Sequence, residues 1–311
     1  MKQLPAIALG AWGWGSADTF GSTPDKETLR EVFETAMKEE LNLWDTAYVY
    51  GFGKAELILA EFLKESPRES WVLSDKFTPR CADMSSRTPL KDMLEMQLEH
   101  MGINKFDIYW IHNASDAPRW TTELAEYYEG RADAPLIGVS NHDMEQIRQA
   151  ESILKEHGLK LSAVQNHFSL LNRFSESAGI LDYCREKGIP FFSYMVLEQG
   201  ALSGKYDMQH PMPAGSARAE VYNPILPKLE SLNEALLQMA DHYSVSPAQI
   251  PVAWAISKGT IPIVGVTKPS HVEDAAKAIT VQLASEDIEQ LERLADALNL
   301  DVNRFWERQM K

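Results

Sequence analysis

Four side chains that can move or hold a proton follow apolar runs in the first part of the sequence. Asp45, Lys76 and His112 each end such a run, and Tyr50 lies five residues after Asp45. Tyrosine is a weak acid with an ordinary pKa of about 10, and a neighbouring ammonium group lowers that value. We therefore predict Tyr50 as the proton donor to a substrate oxygen, with Lys76 lowering its pKa. Asp45 would hold the lysine in place, and His112 would orient the oxygen.

The elements that must position these side chains form a repeat. Short apolar runs alternate with longer stretches of helical spacing, and this alternation indicates a parallel sheet. About eight repeats in 311 residues favour an α/β fold of the (β/α)₈ TIM-barrel type over an open, doubly wound sheet. In a barrel, the carboxyl ends of the strands meet at one rim, where active sites lie. The predicted strands are 7–12, 41–45, 71–76, 106–112, 136–140, 161–165, 189–194 and 262–266.

Two segments fall outside the repeat. Residues 199–227 contain so many glycines and prolines that we expect no regular element there. An extra helix is predicted over 285–297, followed by a tail to residue 311. No linker composition interrupts the chain, so residues 1–311 are expected to form a single domain. The other predicted helices are 25–40, 53–65, 88–101, 120–130, 143–157, 176–187, 228–243 and 271–279.

Composition narrows the classes of partner and compartment. The formal net charge of −15 argues against nucleic acid and anionic membrane surfaces, so we expect a small-molecule substrate. Two cysteines far apart in sequence fit a reducing cytoplasm. No apolar run is long enough for a membrane span or a signal peptide. The histidines show no metal-ligand spacing, and we predict no metal site.

The chain resembles the aldo-keto reductase superfamily over roughly residues 5–295. Asp45 and Tyr50 match that family's D-x-x-x-x-Y motif, and Lys76 and His112 match the other two members of its catalytic tetrad in order and spacing. The resemblance implies a nicotinamide-dependent reductase of aldehydes or ketones that also runs in reverse. The remaining matching segments are GVSN at 138–141, QNHFSLLNR at 165–173, GALSGKY at 200–206 and GVTKPSHVEDA at 265–275.

The same resemblance implies positions for the cofactor. Ser140, Asn141 and Gln165 would bind the nicotinamide carboxamide, and Tyr194 would stack on the ring. The segment from Leu197 through Gly200 to Lys205 would pass the pyrophosphate. Lys268 and His271, with Asp274 nearby, would face the adenosine 2′-phosphate. Trp12 is expected beside the cofactor. Trp14 and Asn113 are expected to line the substrate pocket.

Two departures from the family pattern bear on the cofactor. Met195 stands where members often carry serine, so it lacks a hydroxyl donor for the pyrophosphate. His271 stands where many carry arginine, which binds phosphate through a fork that imidazole lacks. Lys268 then becomes the main candidate for the 2′-phosphate, and NADPH is the expected cofactor, with NADH as the alternative.

Two other functions fit parts of this pattern. One is a nicotinamide-sensing regulatory subunit of the same fold, which would turn over slowly and release its cofactor slowly. The other is a barrel hydrolase that uses Asp45 and Glu56 as paired carboxylates. It would show no quenching of tryptophan fluorescence by a nicotinamide cofactor.

Overall fold

The computed structural model describes residues 4–304 and 306–307. Eight strands are hydrogen-bonded in the order β1 to β8 as a closed barrel, and the pairings recorded between neighbouring strands are parallel. All eight predicted strands are confirmed, with each boundary within two residues of the prediction. The strands are β1 Ala8–Gly10, β2 Leu43–Asp45, β3 Val72–Phe77, β4 Ile108–Ile111, β5 Leu136–Ser140, β6 Leu161–His167, β7 Phe191–Tyr194 and β8 Ile261–Gly265.

Fourteen α-helices occupy most of the remaining described chain. The long helices bury an apolar face, as their periodicity predicted, and the extra helix near the C-terminus is confirmed as α14. The helices are α1 Trp12–Gly15, α2 Ala17–Phe20, α3 Lys26–Lys38, α4 Lys54–Leu63, α5 Pro89–Met101, α6 Ala117–Tyr128, α7 Met144–Glu156, α8 Phe174–Ser177, α9 Ile180–Lys187, α10 Ala217–Tyr222, α11 Glu230–Tyr243, α12 Gln249–Ser257, α13 Pro269–Ala278 and α14 Ser285–Leu298.

Local sequence signals explain where several helices begin and end. The Asp143 side chain accepts a hydrogen bond from the Gln146 backbone N–H, and the Gln146 side chain accepts one from the Asp143 backbone, so a capping box begins α7. Gly102 and Gly188 end α5 and α9 in left-handed backbone, as glycine permits. The capping box fixes the start of the helix that follows β5.

One expectation about the later chain is wrong, and one helix was not predicted. The segment 199–227 does contain regular structure: α10, begun by Ser216 whose side chain accepts from the Ala219 N–H, and a 3₁₀ helix over Asn223–Leu229. Pro224 stands in the first turn of that 3₁₀ helix, where a missing N–H costs nothing. Helix α12 is absent from the sequence prediction, because nearly all of its residues are buried and it has no polar face to reveal a helical period.

The chain contacts group into two compact units. The first unit comprises residues 4–42, 167–173 and 193–302, and includes β1 and β8. The second unit comprises residues 43–166, 174–192, 303–304 and 306–307, and includes β2 to β5. Within the second unit, the register pairs Asp45 with Ser74 and Lys76 with Trp110, so the ends of neighbouring strands lie side by side. None of the helices described is both long and apolar enough to cross a bilayer.

Candidate active site

A buried ion pair in the second unit joins β2 and β3. The Lys76 Nζ lies 2.5 Å from Asp45 Oδ2, and both side chains are almost completely buried. Nζ also donates to the backbone carbonyl of Thr46 at 2.7 Å. Desolvation by burial lowers the pKa of Lys76. The Asp45 carboxylate and the other negative groups raise it by more than burial lowers it, so the net pKa lies above the ordinary value. Lys76 therefore keeps its positive charge although it is buried.

Asp45 is held by more than its lysine. Its Oδ1 accepts from the Ser74 hydroxyl at 2.7 Å and from the Gln165 side-chain amide at 3.3 Å. The Ser74 hydroxyl in turn accepts from the Trp110 indole at 2.6 Å. Side chains on β3, β4 and β6 therefore fix the carboxylate and satisfy its charge with hydrogen bonds from the protein itself.

Tyr50 lies beside this pair, as the sequence predicted. Its hydroxyl is 3.4 Å from Lys76 Nζ, and the ammonium lies 5.1 Å from the centre of its ring. Burial raises the pKa of Tyr50, and the nearby Lys76 lowers it without offsetting the desolvation completely. Lys76 therefore lowers the pKa of Tyr50, as predicted, but the expected net fall below the ordinary value is wrong, because the cost of removing water from the phenolate is larger.

His112 faces Tyr50 from the end of β4. The two rings are nearly perpendicular, with centroids 6.0 Å apart, and the Nδ1 of His112 lies 2.8 Å from the Thr78 hydroxyl. Burial lowers the pKa of His112 well below its usual value, and the positive charges of Lys76 and Arg80 lower it further. The imidazole is therefore neutral at physiological pH.

The amide side chains predicted to meet the nicotinamide lie next to this group. Asn141 donates from Nδ2 to the His112 carbonyl at 2.9 Å, and to the Ser140 hydroxyl at 3.2 Å. Its backbone is left-handed, with a φ of 62°, and its N–H donates to the Gln165 carbonyl at 3.0 Å. Ser140 has no exposed surface, whereas Asn141 and Gln165 keep a small exposed fraction. The nicotinamide contacts of all three stay predictions.

Tyr194, which is predicted to stack on the nicotinamide ring, lies in the first unit. Tyr194 ends β7 and stacks on His167, with ring centroids 5.5 Å apart and an interplanar angle of 28°. The following segment turns sharply, because Met195, Glu198 and Gln199 all have left-handed backbone before Gly200, whose φ is 106°. Met195 packs with apolar neighbours that include Ala201 and Tyr206, so it supplies packing there. The pyrophosphate role of Leu197, Gly200 and Lys205 stays a prediction.

Three residues predicted for the phosphate region influence one another electrostatically. Burial lowers the pKa of His271 to about 4, and the positive charges of Lys268 and Lys205 contribute to the shift. The His271 Nδ1 accepts from the Thr267 N–H at 3.3 Å, while Lys268 and Lys205 are exposed. Asp274 accepts instead from the side-chain amide of Gln249 at 3.2 Å. The region therefore offers a neutral imidazole beside two exposed cations.

The aromatic residues after β1 have different surroundings. Trp14 is fully buried, and its indole N–H donates to the Val266 carbonyl at 2.7 Å. The indole is therefore held by the core, and the substrate contact predicted for Trp14 stays a prediction. Trp12 is partly exposed and packs edge-on against Phe20 at 5.4 Å. Trp12 and the half-buried Asn113 keep their predicted roles as predictions.

The pairing of Asp45 with Glu56 that a hydrolase needs has no support. Asp45 is bound by Lys76, whereas Glu56 accepts from Gln97 at 2.8 Å and contacts His100 at 2.9 Å. Each carboxylate thus serves a different group of partners.

Sequence reasoning missed two hydroxyl residues that complete the candidate site. Ser74 binds Asp45, and Thr78 binds His112. Both stand two positions from Lys76, so on a strand they share its face. That spacing was the available signal.

The chain is similar to known proteins over nearly its whole length. The model of the Aldo/keto reductase family matches residues 6–296. The chain belongs to this family. A chloroplastic pyridoxal reductase of Arabidopsis thaliana is 32% identical over 94% of this chain and 84% of its own length. An NADH-specific methylglyoxal reductase of Escherichia coli is 26% identical over 95% of this chain and 96% of its own.

Solved structures show the same architecture. An aldo-keto reductase from Klebsiella pneumoniae in complex with NADPH has a TM-score of 0.73 and 22% identity, covering 99% of this chain and 95% of its own. The fold is therefore the (β/α)₈ barrel of this family. The protein is an NAD(P)-dependent oxidoreductase.

Proposed function

We propose that the protein reduces aldehydes or ketones to alcohols, reversibly, with Tyr50 as the general acid. The observation that carries the proposal is the placement of the Tyr50 hydroxyl 3.4 Å from a buried, charged Lys76 that Asp45 holds. A nicotinamide cofactor supplies hydride to the carbonyl carbon when bound. The oxygen then needs a proton from the protein, and Tyr50 is placed to give it.

The pKa directions support this role for Tyr50. Because burial raises the pKa of Tyr50, its hydroxyl keeps the proton at neutral pH and the acid is present when substrate arrives. When the proton leaves, the phenolate that forms lies beside the Lys76 ammonium. That interaction is stronger after proton loss than before, which favours the transition state. Asp45 fixes the ammonium and maintains its charge.

His112 would orient the substrate oxygen. Its imidazole is neutral, so it can donate only from one nitrogen. If the Thr78 hydroxyl donates to Nδ1, the proton stays on Nε2, which is then the donor to the oxygen. In that arrangement Thr78 sets the tautomer that this role requires.

The residues available for a nicotinamide cofactor suit its chemistry. Asn141 and Gln165 offer amide groups for a carboxamide, and Tyr194 offers an aromatic face for the ring. Ser140 would act mainly by orienting Asn141, since its hydroxyl accepts from that amide. Trp12, Leu197, Gly200 and Lys205 are proposed beside the rest of the dinucleotide.

We propose NADPH as the preferred cofactor, with Lys268 as the main contact for the 2′-phosphate. The support is local charge, since Lys268 and Lys205 act on a neutral His271 in a protein of net charge −15. The methylglyoxal reductase relative is described as NADH-specific, so the choice varies among similar proteins. The Lys268→Ala change should weaken NADPH binding about tenfold and leave NADH binding unchanged, because only NADPH carries the extra phosphate.

Calorimetric titration with each dinucleotide measures this difference. Lys277→Ala is the matched control, because Lys277 lies in the last turn of α13, the helix that follows Lys268. Equal weakening of NADPH and NADH by Lys268→Ala would remove Lys268 from the 2′-phosphate site.

The substrate class we propose is small aldehydes. The relatives described as pyridoxal and methylglyoxal reductases both act on carbonyl compounds of that kind, which makes these two compounds suitable first substrates.

The test of the function follows NADPH oxidation at 340 nm with methylglyoxal and with pyridoxal. Tyr50→Phe should lower kcat by about 10²–10⁴-fold, because it removes the proton donor. Tyr48→Phe is the matched control: Tyr48 is a neighbouring tyrosine that stacks on His100. If Tyr50→Phe oxidises NADPH as fast as the wild type, the proposed mechanism is wrong.

A further inference from the structure

The first unit contains a fully buried carboxylate that the proposed chemistry does not use. Glu198 has no exposed surface, and both of its oxygens accept hydrogen bonds. Oε1 accepts from the Ser169 hydroxyl and from the His167 Nε2, the latter at 2.7 Å, and Oε2 accepts from the Tyr222 hydroxyl at 2.5 Å. Three donors therefore converge on one side chain.

The hydrogen bonds of His167 fix both its orientation and its tautomer. The Asn172 side-chain amide donates to Nδ1 at 3.1 Å, so the ring proton lies on Nε2 and points to Glu198. With both nitrogens engaged, the ring cannot rotate without breaking a buried hydrogen bond. The Tyr194 ring stacks on this imidazole, with centroids 5.5 Å apart.

The backbone that carries Glu198 is strained. Met195, Glu198 and Gln199 have φ values of 61°, 47° and 54°, a region that side chains with a Cβ rarely adopt. Such backbone persists only where surrounding contacts hold it. The hydrogen bonds to the Glu198 carboxylate are contacts of that kind.

We propose that Glu198, His167 and Tyr222 are positioning residues that hold the Tyr194 ring as a platform for the nicotinamide. The inference rests on the proposed role of Tyr194. Glu198 fixes the plane of His167, and His167 supports the ring of Tyr194 by stacking on it. Tyr222 ends α10, so its hydroxyl also ties the 199–227 segment to this platform. A platform that is already in place loses less entropy when a ring stacks on it.

The experiment compares two ligands that share the adenosine end. NADPH carries the nicotinamide, and adenosine 2′,5′-bisphosphate lacks it. Calorimetric titration of Tyr222→Phe and Glu198→Gln should show NADPH affinity about fivefold to tenfold below the wild type, since each change removes or unpairs a buried hydrogen bond. The affinity for the bisphosphate should stay within about twofold. The thermal midpoint of each variant without ligand is measured in parallel.

Tyr183 provides a control for these variants. Tyr183→Phe removes another tyrosine-to-carboxylate hydrogen bond, the 2.5 Å contact with Glu151, and should change neither affinity. If Tyr222→Phe and Glu198→Gln weaken both ligands equally, or neither, the positioning role is overturned.

Tyr194→Ala separates this inference from the proposed function. If Tyr194→Ala weakens NADPH selectively while the network variants do not, only the network role fails. If Tyr194→Ala leaves NADPH binding unchanged, the assignment of Tyr194 as the nicotinamide platform fails first.

Discussion

Two neighbouring residues of β3, Lys76 and Asp75, belong to buried polar groups on opposite faces of the strand. On one face, Lys76 is paired with Asp45 at 2.5 Å. On the other, the Asp75 carboxylate accepts from Gln97 at 2.9 Å, and Gln97 also donates to Glu56 at 2.8 Å. We call Lys76 and Asp45 the Lys76 group. The Asp75 group consists of Asp75, Glu56, Gln97, His100 and Tyr109.

The two groups handle buried charge differently. In the Lys76 group a cation and an anion neutralise each other, and the pKa of Lys76 is raised, so the lysine stays charged. In the Asp75 group two carboxyl groups lie near one another. Burial raises the pKa of Asp75 well above its usual value, with a further contribution from Glu56, and burial also raises the pKa of Glu56. The Asp75 group therefore tends to hold protons.

The contrast indicates which buried polar groups serve chemistry. A group that keeps opposite charges in fixed positions can stabilise a charge that forms during a reaction. A group whose carboxyl groups are neutralised by bound protons mainly provides hydrogen bonds that hold the fold together. The Tyr109 hydroxyl, which donates to Gln97 at 2.6 Å, makes one of these hydrogen bonds. Gln97 of the Asp75 group also donates to the backbone carbonyl of Lys76 at 3.2 Å, so the backbone of β3 connects the two groups.

Of the two groups, the Lys76 group is expected to give the larger effect when it is broken. Lys76→Met should lower kcat by about 10²–10³-fold, because the phenolate of Tyr50 loses its ammonium. It should also lower the free energy of unfolding by about 3–5 kcal/mol, since Asp45 becomes an unpaired buried charge. Steady-state kinetics and urea denaturation measure the two effects, and NADPH affinity should be largely kept.

Lys91→Met is the control for this prediction, because Lys91 is an exposed lysine whose ion pair with Glu95 lies at the surface. A Lys76→Met enzyme with wild-type kcat would show that the buried cation has no part in proton transfer.

A smaller effect, on stability and not on rate, is expected from the Asp75 group. Above a pH of about 4 the unfolded chain releases the proton of Asp75, whereas the folded protein keeps it. Asp75 therefore lowers the free energy of unfolding as the pH rises. The Asp75→Asn variant has an amide that does not titrate and carries no such cost. Relative to this variant, the free energy of unfolding of the wild type should therefore fall as the pH increases from about 4.

Urea denaturation across that pH range tests the sign, and kcat of the variant should be unchanged. Asp182→Asn, at an exposed aspartate paired with Arg185, is the control. Parallel stability curves for the wild type and Asp75→Asn would contradict the raised pKa and reduce the contrast between the two groups.

The order of the strands and the meeting of Asp45 with Lys76 could be predicted from the sequence alone. Both depend on local information: apolar runs reveal buried strands, and parallel strands end at the same rim, so Asp45, Lys76 and His112 had to meet. Helix α12 could not be predicted in this way, because burial on all sides removes the periodic pattern that reveals a helix.

The direction of each pKa and the supporting contacts depend on the folded chain. The pKa of Tyr50 depends on how much water the folded protein excludes, and sequence spacing contains no measure of that. The contacts of Glu198 with His167 and Tyr222 join residues 31 and 24 positions apart. Hydrogen bonds over such separations follow from the path of the folded backbone, so the support of Tyr194 became visible only in three dimensions.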